Sequence, residues 1–424
     1  MTTVDVPERV RPADDPLRSH RGFRLLLASD VVSRTGGHVA LVALPLLAVL
    51  VLDASAQQVG LLVAASTLAF LVVALPAGVW VDRLRQRSVL VAADLVRALV
   101  LLSVPVTAAF GALSLGQLYA VALVIGVGNV FFDVAQQGYV TYLVGKDRLL
   151  AGFSKLEVAG NGSQLAGPPL GGALVQIITA SGALAFNAVA HLASAWLLGR
   201  IRPPEPQVHR PGGRPRLGRE LTIGVRYVAG QPILRLVVLH GMIALLFEYA
   251  LLTVQPLLLV NTLGLSPAAY GLVTGAVAVG GVVGSVFANR FVATFGIART
   301  LWLPFAVTFP LLLLMPLVGQ GWLVVLYPIG YAAYIGGSAI QNVAQITYRQ
   351  AICPPELHGR MNSAMRFLMW GMMPVGGLFG GFLVQVVGER TALWACAVGM
   401  LASLLPMLGR PVLRLPRDAG IGQQ

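Results

Sequence analysis

The chain has 424 residues, 56% hydrophobic and 11% charged, with 30 basic against 17 acidic side chains and a formal net charge of +13. Its mean hydropathy of +0.78 means more apolar surface than one aqueous core can bury, so its solvent is largely lipid. The basic residues are scattered in short loops between apolar runs, which excludes a nucleic-acid surface of clustered cations and aromatics. Cys353 and Cys396 offer neither a disulfide framework nor metal-ligand spacing.

A helix crosses a bilayer core with roughly 20 apolar residues. The sequence predicts such helices at 24–52, 58–81, 88–109, 115–141, 151–179 and 182–200, then at 233–261, 267–293, 297–319, 321–349, 357–387 and 390–409. The expected fold is therefore an all-α membrane protein of twelve transmembrane helices in two pseudo-symmetric six-helix bundles, 24–200 and 233–409. A polar linker rich in Pro, Gly and Arg, 201–232, joins them, and tails of 1–23 and 410–424 flank them. The first 20 residues have no apolar core or small-residue cleavage site, so the first span is expected to do the targeting.

Lys and Arg near span ends are retained on the cytoplasmic side. Counting alternate loops, one side collects Arg83, Arg85, Arg87, Arg148, Arg290, Arg299, Arg349, Arg360 and Arg410, and the other has Arg390 alone. Both termini and the linker are expected to be cytoplasmic, in a bacterial inner membrane. Shifting the chain by 209 residues lays Asp133 on Asn342, Gln136 on Gln345, Glu157 on Arg366, and Gly171-Gly172 on Gly380-Gly381. A shift of 207 lays Val79 to Arg83 on Val286 to Arg290, as two parallel halves would require.

The stretch from Gly78 to Arg87 packs four charges into six positions between two apolar runs. Gly78, Asp82, Arg83, Arg87 and Leu90 resemble the loop motif between the second and third helices of the major facilitator superfamily of secondary transporters, with Arg85 where that motif has its second glycine. Ala92 to Ala98 and Gly359 to Phe367 are similar to stretches in its bacterial drug and siderophore exporters, an enterobactin-exporter-like branch. Gly167-Pro168-Pro169-Leu170-Gly171-Gly172 is similar to the fifth-helix motif of the superfamily's antiporters, with Ser163 where they carry a further glycine. Small residues let helix backbones approach in lipid, and proline bends the helix. Ordinary glycine packing is the alternative reading of the same run.

The resemblance implies a central cavity lined by the first, fourth, seventh and tenth helices. Polar residues collect there: Asp30, Arg34 and His38; Asn129 and Asp133; His240 and Glu248; Gln341, Asn342 and Gln345. Each ionisable group inside the bilayer needs a partner or a cavity. Asp30, Arg34 and His38 share one helical face. They read as a protonatable carboxylate beside a cation, or as a neutralised ion pair. Glu248 has no basic residue within a turn and is the first candidate for proton carrier or counter-charge, against a neutral buried acid. Phe131, Phe132, Phe247, Tyr249, Tyr331 and Tyr334 are candidates for an apolar pocket. His191 reads as a scaffold histidine, and Asp94 with Arg97 as a pair bracing the charged loop.

At the cytoplasmic face a gate is expected. Asp82 would meet the start of the eleventh helix, near Arg366, and Arg290, beside Asn289, would meet Glu157, because helix starts carry partial positive charge. The function this reading leads to is proton-coupled export of a small amphipathic molecule, by a monomer with a lipid boundary and without cofactor or metal. An importer or uniporter on the same fold and a non-transporting receptor are the alternatives; no nucleophile elbow, metal set or phosphate loop suggests an enzyme.

Overall fold

The computed structural model describes residues 20–81, 83–145, 148–201 and 217–415. Asp82, most of both tails and most of the linker lie outside them.

The N-terminal half consists of Arg21–Val51, Ala56–Val72 continued by Ala74–Val81, Gln86–Ala109, Leu115–Val144, Leu149–Ile178 and Ala180–Gly199. These are the first six spans. The C-terminal half opens with Pro232–Pro256, extended to Thr262 by a turn of π-helix. Pro267–Thr300 then holds the eighth span and the start of the ninth, broken at Gly296 with φ 78°. Leu303–Leu312 continues the ninth, and Leu326–Ile352 is the tenth. His358–Trp370 and Met372–Ala402 carry the eleventh and twelfth, divided at Gly388 with φ 77°. Positive φ is why glycine stands at both breaks. With these two divisions the described helices make twelve spans, as the apolar runs predict.

The internal repeat reaches the backbone angles. Thr179, at the turn between the fifth and sixth spans, has φ 79° and ψ 163°. Gly388, its partner under the 209-residue shift, has φ 77° and ψ 165°.

Two sequence expectations change. The linker holds a helix, Leu217–Gly230, packed on His358–Trp370; Gly224 lies against the Arg360 carbonyl, and the Tyr227 hydroxyl donates to the Ile352 carbonyl over 3.1 Å. Its apolar stripe is too short to stand out in a linker read for Pro, Gly and Arg. Arg290, counted with the loop cations, and Asn289 sit inside the helix, within the predicted span 267–293, and the chain turns only at Gly296.

The cores show how the halves meet. On the face opposite the chain termini, one apolar cluster runs through both halves, from Val39 and Leu62 to Val273, Tyr331 and Val384. On the face carrying the termini there are separate clusters, one around Phe23, Leu90 and Tyr139 and another around Val237, Met361 and Met365. The halves are joined at the far face and parted at the terminal face.

The joint has two seams, fifth span on eighth and second span on eleventh. At the first, Gly172 and Gly271 face each other, a Cβ on either meeting the other's α-carbon within 2.9 Å. At the second, Gly60 faces Gly377 and Gly381. The glycines place backbone against backbone, the contact that holds helices together in lipid. A hydrogen bond from the Ala268 amide to Gln176 Oε1, 3.1 Å, ties the far end of the first seam.

Candidate functional site

Between the two terminal-face clusters lies a cavity of about 850 Å³. The N-terminal half lines it with Arg34, Phe70, Asp133, Gln136, Gln137, Phe153 and Glu157, and the C-terminal half with Ser363, Arg366, Phe367 and Trp370. A smaller space of about 390 Å³ adjoins it, sharing Ser363 and Arg366 and adding Arg349 and Asn362.

Its polar wall is built around Asp30, which is fully buried. Arg34 Nε donates to Asp30 Oδ1 over 2.7 Å, and Gln136 Nε2 donates to the same oxygen over 2.7 Å. Arg34 Nη2 also reaches Gln136 Oε1 at 3.2 Å, which closes a triangle between the first and fourth spans. Asp30 Oδ2 has no hydrogen-bond partner among the described residues. The Arg34 side chain is 42% exposed, so the ion pair lends a cation to the cavity rim while its carboxylate stays inside. One turn before Gln136, Asp133 is exposed to the cavity, within electrostatic reach of Arg34, Arg97 and Arg366. The guanidinium of Arg366 lies over the Trp370 ring, 5.2 Å from its centre, and Trp370 meets Phe70 edge to face at 5.6 Å. The cavity thus offers Asp133, Glu157 and Arg34 on one half, Arg366 on the other, and aromatic rings from both.

Sequence reasoning placed several residues here that lie elsewhere. His240 is buried, its ring against Phe305 and Nδ1 2.7 Å from the Ser403 carbonyl. Gln341 and Gln345 are buried, and Asn342 is exposed outside both spaces. Glu248 is half-buried and does not line the cavity. The aromatic candidates serve packing instead: Phe131 stacks on Trp80, Phe132 lies under Arg97, Phe247 meets Phe379, and Tyr331 and Tyr334 stack together. The aromatic lining comes from Phe70, Phe153, Phe367 and Trp370. Trp370, one turn after Arg366, was legible as a cation–π spacing. Gln136 was legible as the repeat partner of Gln345.

His38, Asp94, Arg97 and His191 lie in packing contacts and hydrogen bonds inside the N-terminal half. A Cβ on Gly167 would collide with the His38 side chain, so the fifth-span motif begins by packing on the first span. Gly171 then meets Val39 and Val42, and Gly172 the eighth span; the motif wedges the fifth span between a helix of its own half and one of the other. Asp94 Oδ1 accepts from Arg97 Nη2 at 2.6 Å and from Ser33 at 3.4 Å, and lies 2.9 Å from His191 Nδ1; Oδ2 accepts from Ser194 at 2.6 Å. Arg97 Nη1 donates to Asn129 over 2.7 Å. This network ties the first, third, fourth and sixth spans inside the N-terminal half, a larger role than bracing a loop.

The described part of the charged stretch is anchored within its own half, and Asp82, the centre of the expected gate, lies outside the described residues. Arg87 Nε donates to the Leu198 carbonyl at 2.9 Å and Nη2 to Gly199. It adds a side-chain donor at the last carbonyls of the sixth span, where the helical ladder runs out. Arg83 is exposed, and Gly78 has open space where a Cβ would stand. Among the described residues no ion pair joins Arg290 to Glu157; Glu157 instead faces Arg366 across the cavity.

Two six-helix halves around one central cavity define a membrane transporter of the major facilitator type. Solved structures agree on the fold: the nucleoside transporter NupG superposes with a TM-score of 0.74 at 11% identity, covering 93% of this chain and 100% of that one. A bacterial homologue of the iron transporter ferroportin in its inward-facing state gives 0.70 at 15% identity, over 92% and 98%. A family profile described as transmembrane secretion effector matches residues 13–419, and the chain belongs to that major facilitator family. It is 25% identical to the multidrug efflux pump Tap of Mycolicibacterium fortuitum over 420 residues, 93% of this chain and 95% of that one. It is also 27% identical over 181 residues to the uncharacterized transporter YfiS of Bacillus subtilis, 43% of this chain and 42% of that protein.

Proposed function

We propose that the protein exports a small amphipathic molecule across a bacterial inner membrane in exchange for protons, by alternating access, with its termini in the cytoplasm. The observation that carries this reading is the cavity at the terminal face, where Asp133 and Glu157 stand beside Phe70, Phe153 and Trp370. Carboxylates among aromatic faces suit an aromatic cation. The arginine asymmetry of the loops supports a cytoplasmic setting for this face, where an exporter loads. The resemblance to a multidrug efflux pump supports the direction, and so does the fifth-span wedge at Gly167–Gly172, which limits leak at the seam.

In this cycle the cavity closes when the two walls meet. Glu157 and Asp133 approach Arg366 and Arg349 across the cleft, and Asp82 reaches the start of the eleventh span. The far-face seams at Gly172–Gly271 and Gly60–Gly377 open in return, because packed interfaces switch between discrete arrangements. The chain carries no cofactor in this reading, acts as a monomer and works on the proton gradient alone.

Inside-out membrane vesicles test the reading, with ethidium as the aromatic-cation probe. Vesicles acidified inside should accumulate ethidium, and dissipating the pH difference should release it. Accumulation indifferent to the gradient, or ethidium moving the other way in intact cells, contradicts it.

A further inference from the structure

Glu248 stands in the seventh span inside a group of tyrosines. Tyr249 is its chain neighbour, and Tyr331 and Tyr334 of the tenth span lie within electrostatic reach of its carboxylate. Tyr331 and Tyr334 are 7% and 2% exposed. Tyr331 meets Tyr327 edge to face at 6.3 Å; the Tyr327 hydroxyl is buried and has no partner among the described residues. Tyr327 in turn interacts with Tyr270, four residues into the eighth span at the far face. Tyrosine side chains therefore lie between Glu248 and the face opposite the cavity.

No ion pair neutralises Glu248 among the described residues. The second span, packed on the seventh, has no charged residue. Met372–Ala402 carries only Glu389 and Arg390, beyond Gly388 at the far face. The first span brings Asp30, Arg34 and His38, already engaged at the cavity wall or against Gly167. His358, Arg360 and Arg366, the helix 217–230 with Arg219, Glu220 and Arg226, and Arg410 lie toward the terminal face, as do Arg235 and His240 of the seventh span itself. A lone carboxylate in such surroundings is expensive, and binding a proton removes the charge.

Its position gives that proton leverage. A Cβ on Gly376 would strike the Leu246 carbonyl and Tyr249, and one on Gly380 the Ala250 carbonyl. The eleventh span is thus pressed without slack onto residues 246–250. On its other side Gly377 and Gly381 press onto Gly60 and Ala56 of the N-terminal half. One helix turn transmits any shift at Glu248 to the seam.

We propose that Glu248 is the proton-binding site that biases the two halves, separate from the substrate cavity, so that proton and substrate are coupled through the eleventh span and do not compete for one carboxylate. This rests on the proton-exchange reading above. The step is simple protonation: a proton from the far face joins the carboxylate to give the neutral acid, and leaves when the halves have changed over.

Electron–electron distances between spin labels at Ser154→Cys and Gly359→Cys, both exposed on opposite halves at the terminal face, test this without any substrate. The background removes the two buried thiols as Cys353→Ser and Cys396→Ala. In nanodiscs between pH 5 and pH 9 the distance distribution should shift between two populations. Glu248→Gln should show one distribution throughout, the one the parent adopts at low pH. Tyr331→Phe, which keeps the ring and removes a hydroxyl dipole near the carboxylate, should displace the midpoint by roughly half a pH unit. No pH response in the parent, a full response in Glu248→Gln, or a response lost only in Asp30→Asn or Asp133→Asn overturns the proposal. Ethidium accumulation in vesicles separates the two readings. Gradient-driven accumulation by Glu248→Gln sinks the site and leaves the exchange reading standing. A pH response that depends on Glu248 with no gradient-driven transport does the reverse.

Discussion

The carbonyl oxygen of Pro168 points at the α-carbon of Gly271 in the opposite half, so closely that a single added methyl at Gly271 would collide with it. In the proposed cycle this contact belongs to the state with the far face shut. Overpacking such a contact costs about 1–3 kcal/mol, and Gly271→Ala levies it on the shut state alone. The population with the far face open should rise roughly five-fold or more. Maleimide labelling of Val175→Cys, a position buried behind this seam, should accelerate accordingly; unchanged labelling means that the seam does not open.

Thr179 holds a backbone conformation that suits glycine, φ 79° and ψ 163°, while its side chain caps the sixth span through the Gly182 amide at 3.3 Å. Strain of this kind costs of order 1–3 kcal/mol, and exchanging a Thr cap for Gly costs only a few tenths. Thr179→Gly should therefore stabilise the protein by about 1 kcal/mol, seen as a higher thermal midpoint in detergent, whereas Thr179→Val, without the cap, should lower it.

Asp94 and Arg97 are 0% and 4% exposed. Removing one member of a buried pair costs about 3–5 kcal/mol because it strands the other. Asp94→Leu and Arg97→Met should each lose stability on that scale, and the double variant should recover much of it. Thermal unfolding of the four proteins in the cycle measures the coupling.

The helices, their pairing into halves and the polar residues of the first and fourth spans were legible in the sequence, because apolar length and a fixed 209-residue shift are one-dimensional signals. Glu248 was legible as a lone acid. Its company was not: Tyr331 meets it from another span, and only packing decides which tyrosines line a cavity and which brace one. The same holds for Asp94 and His191, 97 positions apart in the chain and 2.9 Å apart in space. Arg87 stood inside a recognisable motif, yet its hold on Leu198 and Gly199 depends on where the sixth span ends.

Trp370 and Asp133 should carry recognition of an aromatic cation. Trp370→Ala and Asp133→Asn should each weaken ethidium binding by roughly ten-fold at fixed pH, through a lost stacking face or counter-charge. Phe247→Ala, whose ring packs on Phe379 away from the cavity, should leave the affinity within two-fold, on the order of a remote substitution. Fluorescence titration of the purified protein measures all three.

Proton exchange itself is tested most directly in proteoliposomes that enclose a pH-sensitive dye, with the membrane potential clamped by potassium and valinomycin. When ethidium is added outside and enters down its gradient, protons should leave and the lumen should turn alkaline, in the parent protein and not in Glu248→Gln. Ethidium entry with no change of lumenal pH, or with acidification, contradicts the account.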